Sequence, residues 1–387
     1  MEIKEQMNKL YAVKDREQRA ALNTWWKKGA RSSIIAGTGF GKSRCGVLAM
    51  KHVLKNGGKG LLLVPTTQLQ DQFEEEFEKW DAEDVLDRID ILCYQSAYKL
   101  SNEHYDIVVC DEIHLGISPE YRKFFQSNTY DKILCMTATI PEDEEYRNFL
   151  MKLAPPSYQL SLDQCVELGL VAPYEILCVP LELNEEDRLA YKKAQNKFVQ
   201  AKYRIGDFDT FSAAKLILAK KMKGDAGAAK MFFNAIGERK KVVQHATVKI
   251  DKAKELVASH PDDKILVFSG TNMFTDSMGS ALDALCYHSG YTRRERETAL
   301  EEFRKGSSRI LCSTKALDQG FDVPDASVGI IAGLNSKSLP MIQRVGRLLR
   351  LSTPDKIGKI YILYIKDSQE EKWLRASVKS LNNVTWL

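Results

Sequence analysis

The sequence predicts two α/β domains in tandem, each a doubly wound parallel sheet, with a basic helical segment at the start of the second. Apolar runs of strand length alternate with helical patterns between residues 32 and 139, and the alternation starts again at Asp263. A chain of 387 residues is too long for one typical core and suits two domains of ordinary size. We therefore place the domains at 1–155 and 156–387, with the basic segment at about 183–241.

The composition is that of a soluble globular protein, with 44% apolar and 28% charged residues. The N-terminus, MEIKEQMNKL, is charged, and no apolar run approaches the roughly eighteen residues of a membrane helix. We expect a cytoplasmic protein. The eight cysteines include no C-x-x-C pair, and several lie in apolar runs, which favours small core residues in a reducing compartment over a zinc site.

The positive charge is concentrated in one stretch. Leu183 to Lys241 holds 14 Lys and Arg against 7 Asp and Glu, a net charge of +7, while the whole chain carries +4. Such a stretch indicates a partner with phosphate groups. The alternative is a solvated helical face with spare lysines.

The first domain opens on a glycine-rich loop (37–41) between a short apolar strand and a helix, in the stretch SSIIAGTGFGKS. Glycines let a backbone curl until several N–H groups point at one anion, beside the positive end of a helix dipole. Lys42 can then reach the β- and γ-phosphates of a nucleotide, and the Ser43 hydroxyl can hold Mg²⁺. Ala36 departs from the usual pattern, which has glycine there. The alternative is a glycine-rich turn without a ligand.

Two polar positions flank this loop in the sequence. Gln18 precedes it, and a glutamine amide can both donate to and accept from the edge of adenine, although a surface glutamine is the alternative. Thr66 and Thr67 follow the buried-type strand Leu61 to Pro65, and their hydroxyls can either cap the next helix or bind a phosphate.

Two adjacent carboxylates end the strand DIVVCDE. Ligands of an open parallel sheet lie beyond the carboxyl ends of its strands, so we expect Asp111 beside the glycine-rich loop. Asp111 can hold Mg²⁺, and Glu112 can polarise the water that attacks the γ-phosphate. Solvent-exposed loop acids are the alternative. His114 is a weaker candidate, because a lone histidine near an acid is usually structural.

The second domain repeats the alternation with KILVFSG, ALCYHSG, RILCST, SVGIIAG and KIYILYI but has no glycine-rich phosphate loop. A lone strand, EILCVPLEL, precedes it, and the basic segment between them has helical patterns at Glu185 to Tyr203, Phe211 to Lys223 and Lys230 to Ile236. The run QRVGRLLR places Arg344, Arg347 and Arg350 on one helical face. Solvated or paired arginines are the common alternative, but their position favours a finger toward the γ-phosphate.

With the glycine-rich loop, DEIH, TAT and QRVGRLLR in this order, the sequence resembles the superfamily 2 helicases of the DExH type, and within them the UvsW-like and XPB-like DNA motors, which include many phage proteins. The resemblance implies two RecA-like domains with ATP and Mg²⁺ in the cleft between them. It also implies ATP hydrolysis coupled to unwinding of, or translocation on, nucleic acid, DNA more than RNA. The alternatives are an ATP-gated clamp and a motor subunit of a restriction or remodelling complex.

The resemblance also assigns roles to residues. It implies contacts with ATP from Gln18, Gly37, Thr38, Gly39, Gly41, Lys42, Ser43, Gly320 and Asp322, with Ser43 and Asp111 as metal ligands. It implies a catalytic set of Lys42, Asp111, Glu112, Gln343, Arg347 and Arg350, with Thr137 and Thr139 coupling the two sites. It implies nucleic-acid contacts from Pro65, Thr66, Thr67, Gln95, Ser96, Ser269, Gly270, Thr271, Ser313 and Thr314.

These nucleic-acid residues are mostly neutral hydroxyls and amides, which suit phosphate and sugar and do not read sequence. Few residues precede Gln18, so we expect the N-terminal DNA-recognition domain of larger relatives to be absent. The basic segment is then expected to take over part of its role.

Overall fold

The computed structural model describes the chain except residues 1, 38, 142, 171–172, 207–208, 315–325, 335–356, 380 and 382. It contains two compact units. The first contains the residues up to Pro173, and the second contains Tyr174–Ala316, 326–334 and Gly358–Leu387 as far as they are described. Among the described residues, no helix has the length and apolar character needed to cross a membrane.

The first unit alternates strands with helices. Its strands are β1 (Arg31–Ala36), β2 (Gly60–Val64), β3 (Ile89–Cys93), β4 (His104–Cys110), β5 (Thr129–Thr137) and β6 (Pro156–Leu160). Its helices are α1 (Glu2–Lys27), α2 (Lys42–Leu54), α3 (Thr67–Lys79), α4 (Tyr94–Ala97), α5 (Ile113–Gly116), α6 (Arg122–Ser127), α7 (Glu144–Leu153) and α8 (Leu162–Glu167), with a 3₁₀ turn at Glu83–Arg88.

The first sheet has the order β3-β2-β4-β5-β1-β6, and every pair is parallel. Helices cover both faces of this sheet, so its inner strands contain runs of buried residues, such as Leu61–Val64 of β2 and Ile107–Cys110 of β4. Phe124 of α6 and Leu150 of α7 belong to the core on one face, whereas Gly46 of α2 closely approaches Val109 and Met136 on the other. The predicted α/β class is confirmed for this unit.

The predicted end of the first domain at residue 155 is too early. Strand β6 begins at Pro156 and pairs with β1, so it completes the first sheet, and the compact unit continues to Pro173. The sequence PSYQL has neither the apolar run nor the alternation of the other strands, which explains why the pattern missed it.

The second unit contains the strands β7 (Tyr174–Leu181), β8 (Ile265–Phe268), β9 (Leu285–Tyr287), β10 (Ile310–Ser313), β11 (Val328–Ile331), β12 (Gly358–Ile365) and β13 (Val384–Trp386). Its helices are α9 (Glu185–Ile205), α10 (Thr210–Leu218), α11 (Ala226–Gln244), α12 (Val248–Ala258), α13 (Asn272–Leu282), α14 (Arg293–Lys305) and α15 (Gln369–Val378).

The second sheet is also parallel throughout, in the order β13-β7-β12-β11-β8-β10-β9. The predicted parallel sheet is confirmed. The prediction that EILCVPLEL forms a lone strand is wrong. Strand β7 lies inside the sheet, paired with β12 along its whole length and with β13 on its other side. The core beside this sheet contains Val267, Ile330 and Leu363 of its strands and Phe274 and Met278 of α13.

Helices α9, α10 and α11 form the three-helix segment, which corresponds to the basic stretch of the sequence. One end of it, with Tyr191 and Val243, packs near Ile365 at the end of β12. At the other end, α10 packs through Ala214 and Ile217 on a separate small core. The helix bounds differ most from the sequence patterns at α10 and α11. Helix α10 stops at Leu218, before the lysine-rich turn, and α11 extends beyond the expected Lys230–Ile236 at both ends, from Ala226, where the Asp225 carboxylate caps it, to Gln244.

Candidate functional site

The glycine-rich loop connects β1 to α2 and adopts the conformation for which it needs glycine. Gly39 and Gly41 have φ of 93° and 84°, in the left-handed region that favours glycine. Gly41 is the N-cap of α2, and no acidic residue lies in the first turn of that helix. Lys42 begins α2, and its Nζ donates to the carbonyl of Ala36 at 3.0 Å. The loop, the positive end of the helix dipole and the ammonium group therefore lie together, as an anion site requires.

Gln18 of α1 lies against this loop and is buried, with 3% of its surface exposed. Its Nε2 atom donates to the carbonyls of Phe40 at 2.7 Å and Gly41 at 3.2 Å. A Cβ atom at position 41 would come within 2.4 Å of that Nε2 atom, so Gly41 is required by space as well as by its φ angle. The structure thus places the predicted base-reading residue in direct contact with the predicted phosphate site.

Arg44 is a contact that sequence reasoning missed. Its Nη1 donates to Gln18 Oε1 at 2.5 Å, and its Nη2 pairs with Asp15 at 2.6 Å. The guanidinium lies 4.4 Å from the ring centre of Trp80, within cation–π range. The hydrogen bond from Arg44 lowers the pKa of the Asp15 carboxyl. An arginine on the first turn of a helix gives no sequence signal for such a cluster.

The two carboxylates follow β4, as predicted. Cys110 of β4 pairs with Cys135 of β5, and Thr137 at the end of β5 pairs with Ile35 of β1, so the three strands end at the same edge of the sheet. Asp111 is 7% exposed. Burial first, and then the neighbouring Glu112, raise its pKa to about 7, whereas the charge of Lys42 lowers it. Asp111 and Lys42 therefore interact electrostatically although they are distant in sequence.

Glu112 has a left-handed backbone, with φ of 46°, which is uncommon for a residue other than glycine and is found most often at functional sites. Its Oε2 atom lies 3.3 Å from His114 Nδ1, and the same nitrogen lies 2.9 Å from the Thr137 hydroxyl. Thr137 in turn donates to the Thr139 carbonyl at 3.2 Å. These close polar contacts bring DEIH and TAT together around His114.

The nucleic-acid residues predicted in the first unit also lie at this edge. Gln95 of α4 donates to the carbonyl of Pro65 at 3.2 Å, which brings the two predicted segments together. Thr66 precedes α3 but does not cap it with its side chain, and among the described residues its hydroxyl is buried without a hydrogen-bond partner. The capping interpretation is therefore wrong for Thr66. Thr67, Gln95 and Ser96 are exposed.

Most of the nucleic-acid residues predicted in the second unit form hydrogen bonds within that unit. Thr271 caps α13 and contacts His245 Nε2 at 2.9 Å. The Ser313 hydroxyl is fully buried and donates to the carbonyl of Tyr287 at 2.9 Å, while the Thr314 hydroxyl donates to Asn272 at 3.3 Å. Gly270 is closely packed, because a Cβ at Gly333 would come within 2.2 Å of its nitrogen. Ser269 donates to the Thr271 carbonyl at 3.0 Å.

A buried ion pair, also absent from the sequence interpretation, fixes the carboxyl edge of the second sheet. Lys249 of α12 lies 2.8 Å from both carboxylate oxygens of Glu370, and neither side chain is exposed. Lys249 also donates to the carbonyl of Ala332 after β11, at 2.9 Å, and Glu370 accepts from the nitrogen of Ile365 in β12, at 3.2 Å. Four elements are tied together at this point.

Six predicted site residues lie outside the described residues. They are Thr38, Gly320, Asp322, Gln343, Arg347 and Arg350, and Arg344 lies there too. Their roles stay predictions.

Two family regions match the chain. Residues 10–142 match the family "Type III restriction enzyme, res subunit", and residues 248–352 match "Helicase conserved C-terminal domain". The chain is 27% identical over 354 residues to the DNA 3'-5' translocase XPB2 of Sulfurisphaera tokodaii, covering 87% of this chain and 78% of that protein. It is 21% identical over 380 residues to the DNA 3'-5' helicase XPB of Mycobacterium tuberculosis, covering 92% and 61%.

The fold is also found among solved structures. S. cerevisiae Dbp5 bound to RNA and ADP BeF3 superposes with a TM-score of 0.61 at 16% identity, covering 98% of this chain and 92% of that one. At that identity the likeness concerns the fold alone, which has two RecA-like parallel-sheet domains. The two family regions stand in the order that the sequence motifs predict, and XPB-like DNA 3'-5' helicases are among the homologues of the chain.

Proposed function

We propose that this protein is an ATP-dependent DNA helicase or translocase that moves with the 3'-5' polarity named for its relatives. The observation that carries the proposal is the convergence of four motifs at the carboxyl edge of the first sheet. The glycine-rich loop, the DEIH carboxylates, TAT and the Pro65–Thr67 stretch all lie at the carboxyl ends of strands of that sheet, with DEIH in contact with TAT and Pro65 in contact with Gln95. Ligands of open parallel sheets bind at this edge.

The chemistry of this edge fits ATP with Mg²⁺. The left-handed glycines and the dipole of α2 suit the phosphates, and Lys42 supplies a positive charge. Asp111 fits a cation, because a buried carboxylate whose pKa is raised to about 7 is stabilised by positive charge. Ser43 and Asp111 would hold the metal, which when bound neutralises charge on the phosphate oxygens.

Hydrolysis requires a base and a stabilising cation in addition to the cradle. Glu112 is the general base, and its Oε2 atom lies 3.3 Å from His114 Nδ1. Arg347 and Arg350 are the arginines that stabilise the transferring phosphoryl group, on the strength of the family resemblance and of the matched helicase C-terminal region. The chain from Glu112 through His114 to Thr137 and Thr139 is a route by which nucleotide state reaches the nucleic-acid residues.

Nucleic acid is bound mainly through phosphate and sugar. In the first unit, Thr67, Gln95 and Ser96 present neutral polar groups at the sheet edge. The three-helix segment adds positive charge: among the described residues, Lys220, Lys221 and Lys223, which follow α10, form no ion pair.

One experiment separates the motor from an ATP-gated clamp. ATP hydrolysis is measured with single-stranded, duplex, forked and four-way DNA and with RNA, together with strand displacement on the forked substrate. We expect DNA to stimulate hydrolysis and the fork to be unwound. ATP-dependent retention on DNA without multiple turnover would support the clamp, and stronger stimulation by RNA would reject DNA as the substrate.

A further inference from the structure

The end of α11 lies directly on the Ser269–Thr271 stretch, which is predicted to contact nucleic acid. The helix ends at Gln244, and His245 follows as its C-cap residue. Gln244 is buried, and its Nε2 atom donates to the carbonyl of Leu334 at 3.1 Å. A Cβ atom at Gly270 would come within 2.9 Å of the same Nε2 atom. The end of the three-helix segment is therefore packed against the backbone of this stretch.

His245 makes the polar contact between the two segments. Its Nε2 atom lies 2.9 Å from the Thr271 hydroxyl. Its ring stacks on that of Phe274, with 5.7 Å between the ring centres and 11° between the planes. Phe274 is itself buried and belongs to the core beside the second sheet. The position of the imidazole is therefore set by the core, and its Nε2 atom is held against Thr271.

The contacts of the Thr271 hydroxyl decide where its proton points. A hydroxyl has one donor and two acceptor positions. Its oxygen already accepts from the amide nitrogen of Phe274 at 3.3 Å, as the N-cap of α13. If His245 Nε2 donates as well, both acceptor positions are filled and the hydroxyl proton is free for another acceptor. If Nε2 accepts instead, the imidazole takes up that proton.

The surroundings of His245 favour the first arrangement. Burial above all, and then the charges of Lys241 and Lys249, lower the pKa of His245, so its ring is neutral at neutral pH and one nitrogen carries the proton. Among the described residues, Nε2 has a hydrogen-bond partner and Nδ1 has none, so a proton on Nε2 is the one that is used. Lys241 is exposed and forms no ion pair in the described part of the chain, whereas Lys249 is paired with Glu370. An anion near Thr271 would therefore meet the charge of Lys241.

We propose that His245 is a positioning residue for nucleic-acid binding: by donating from Nε2, it directs the Thr271 hydroxyl proton toward a phosphate oxygen of the bound strand. This inference rests on the proposed function. Gly270 and Thr271 are half-buried, so part of the stretch reaches the solvent. Because His245 caps α11, the three-helix segment fixes the geometry of this contact as well as adding positive charge.

The test compares variants that remove the nitrogen, replace it or remove the hydroxyl. His245→Phe keeps a ring on Phe274 but has no Nε2, whereas His245→Gln supplies an amide N–H donor. Thr271→Val removes the hydroxyl, and the double variant His245→Phe/Thr271→Val completes a double-mutant cycle. His260→Phe is the matched control, because His260 also contacts a hydroxyl, that of Tyr361 at 2.9 Å, but lies before β8, at the opposite edge of the sheet.

Two quantities are measured in the full-length proteins. One is the Kd for a fluorescently labelled single-stranded DNA oligonucleotide, from anisotropy without nucleotide, and the other is the DNA concentration that gives half-maximal ATPase stimulation. In His245→Phe we expect both to rise about five- to tenfold, the effect of one hydrogen bond to a charged group, with a smaller change in the rate at saturating DNA. His245→Gln should recover most of the loss. His260→Phe should leave both quantities within about twofold of the wild type.

The double-mutant cycle tests whether His245 acts through Thr271. Thr271→Val should weaken DNA binding to a similar extent, and the double variant should bind no more weakly than Thr271→Val alone. Additive losses would overturn the inference, because they would show that His245 acts independently of the hydroxyl.

An unchanged Kd in folded His245→Phe, or an equal loss in His260→Phe, would overturn the inference as well. If His245→Phe does not fold, His245→Leu removes the same nitrogen and takes its place in the cycle. A wild type whose ATPase activity is not stimulated by DNA is a different result. It would reject the proposed function, while the Kd values would still test the contact.

Discussion

At the residue scale, Lys42 is the first test of the anion site. Its ammonium lies beside the end of the glycine-rich loop, where it donates to the Ala36 carbonyl. Lys42→Ala should weaken nucleotide binding and reduce ATP turnover by about a hundredfold or more, in line with the loss of a preorganised cation. Lys55→Ala, at the exposed far end of the same helix, is the control. Undiminished ATPase activity in folded Lys42→Ala protein would reject the site.

Glu112→Gln separates binding from chemistry, because the amide keeps the shape of the side chain but cannot act as a base. We expect ATP and DNA to bind with near wild-type Kd, while single-turnover hydrolysis falls roughly 10² to 10⁴-fold. Loss of ATP binding would instead make Glu112 a structural residue. Glutamine and glutamate are equally disfavoured in the left-handed backbone at this position, so we expect the same strain in both proteins.

Sequence reasoning located these residues because each belongs to a short pattern with a physical reason. The rule that ligands lie beyond the carboxyl ends of parallel strands was enough to bring Asp111 toward Lys42. The same reasoning underestimated His114, because a single histidine does not reveal that Thr137 will lie 2.9 Å away. It gave no sign of Arg44 either, since the contacts of Arg44 with Asp15 and Trp80 depend on how three helices pack.

At the scale of elements, the three-helix segment carries the test of nonspecific DNA binding. Lys192 and Lys193 of α9 are exposed and form no ion pair among the described residues, whereas Lys197 pairs with Glu238 at 2.9 Å. Replacing Lys192 and Lys193 with alanine should flatten the log–log salt dependence of duplex binding by roughly 0.9 for each lost phosphate contact, or about 0.7 on single strands. Lys197→Ala should have less effect, because its charge is already partly neutralised. Equal slopes for all variants would make these lysines a solvated face.

The ion pair between Lys249 and Glu370 allows a test of what stabilises the second unit. Lys249→Met leaves a buried carboxylate without its partner, so the free energy of unfolding should fall by about 3–5 kcal/mol. Adding Glu370→Gln to that variant should recover part of the loss, because the unpaired charge is removed. A cost below about 1 kcal/mol in chemical denaturation of Lys249→Met would contradict a tightly packed, charged pair.

Strands can be predicted from the sequence where both of their faces are buried, because burial requires a run of apolar residues. The strand β2, LLLV after Gly60, is fully buried and was evident, whereas β6 at the edge of the first sheet was missed because its residues are only partly buried. The pairing of Lys249 with Glu370 spans 121 residues and leaves no local pattern. Contacts of that kind follow from the assembled sheet and not from any window of sequence.

At the scale of the whole molecule, the placement of β6 changes how the two halves should be separated. A fragment that ends at residue 155 would remove the strand that pairs with β1 and expose the edge next to the glycine-rich loop. Loss of activity in such a fragment would reflect a damaged sheet. The contribution of the second half is therefore better tested in the full chain.

We propose that arginines from the second half of the chain act on the phosphate bound by the first. An exposed arginine with an ordinary ion pair contributes at most about 1 kcal/mol, whereas an arginine on the transferring phosphoryl group is worth roughly 10³ to 10⁵ in turnover. The decisive measurement is the DNA-stimulated ATPase rate of full-length Arg347→Ala, with Arg347→Lys as the variant that keeps the charge but loses the bidentate fork. We predict that both rates fall by about 10³-fold or more while the melting temperature stays close to that of the wild type. An Arg347→Ala rate above about a tenth of the wild-type rate would contradict the two-domain mechanism, because the catalytic effect of a phosphoryl-stabilising arginine is far larger.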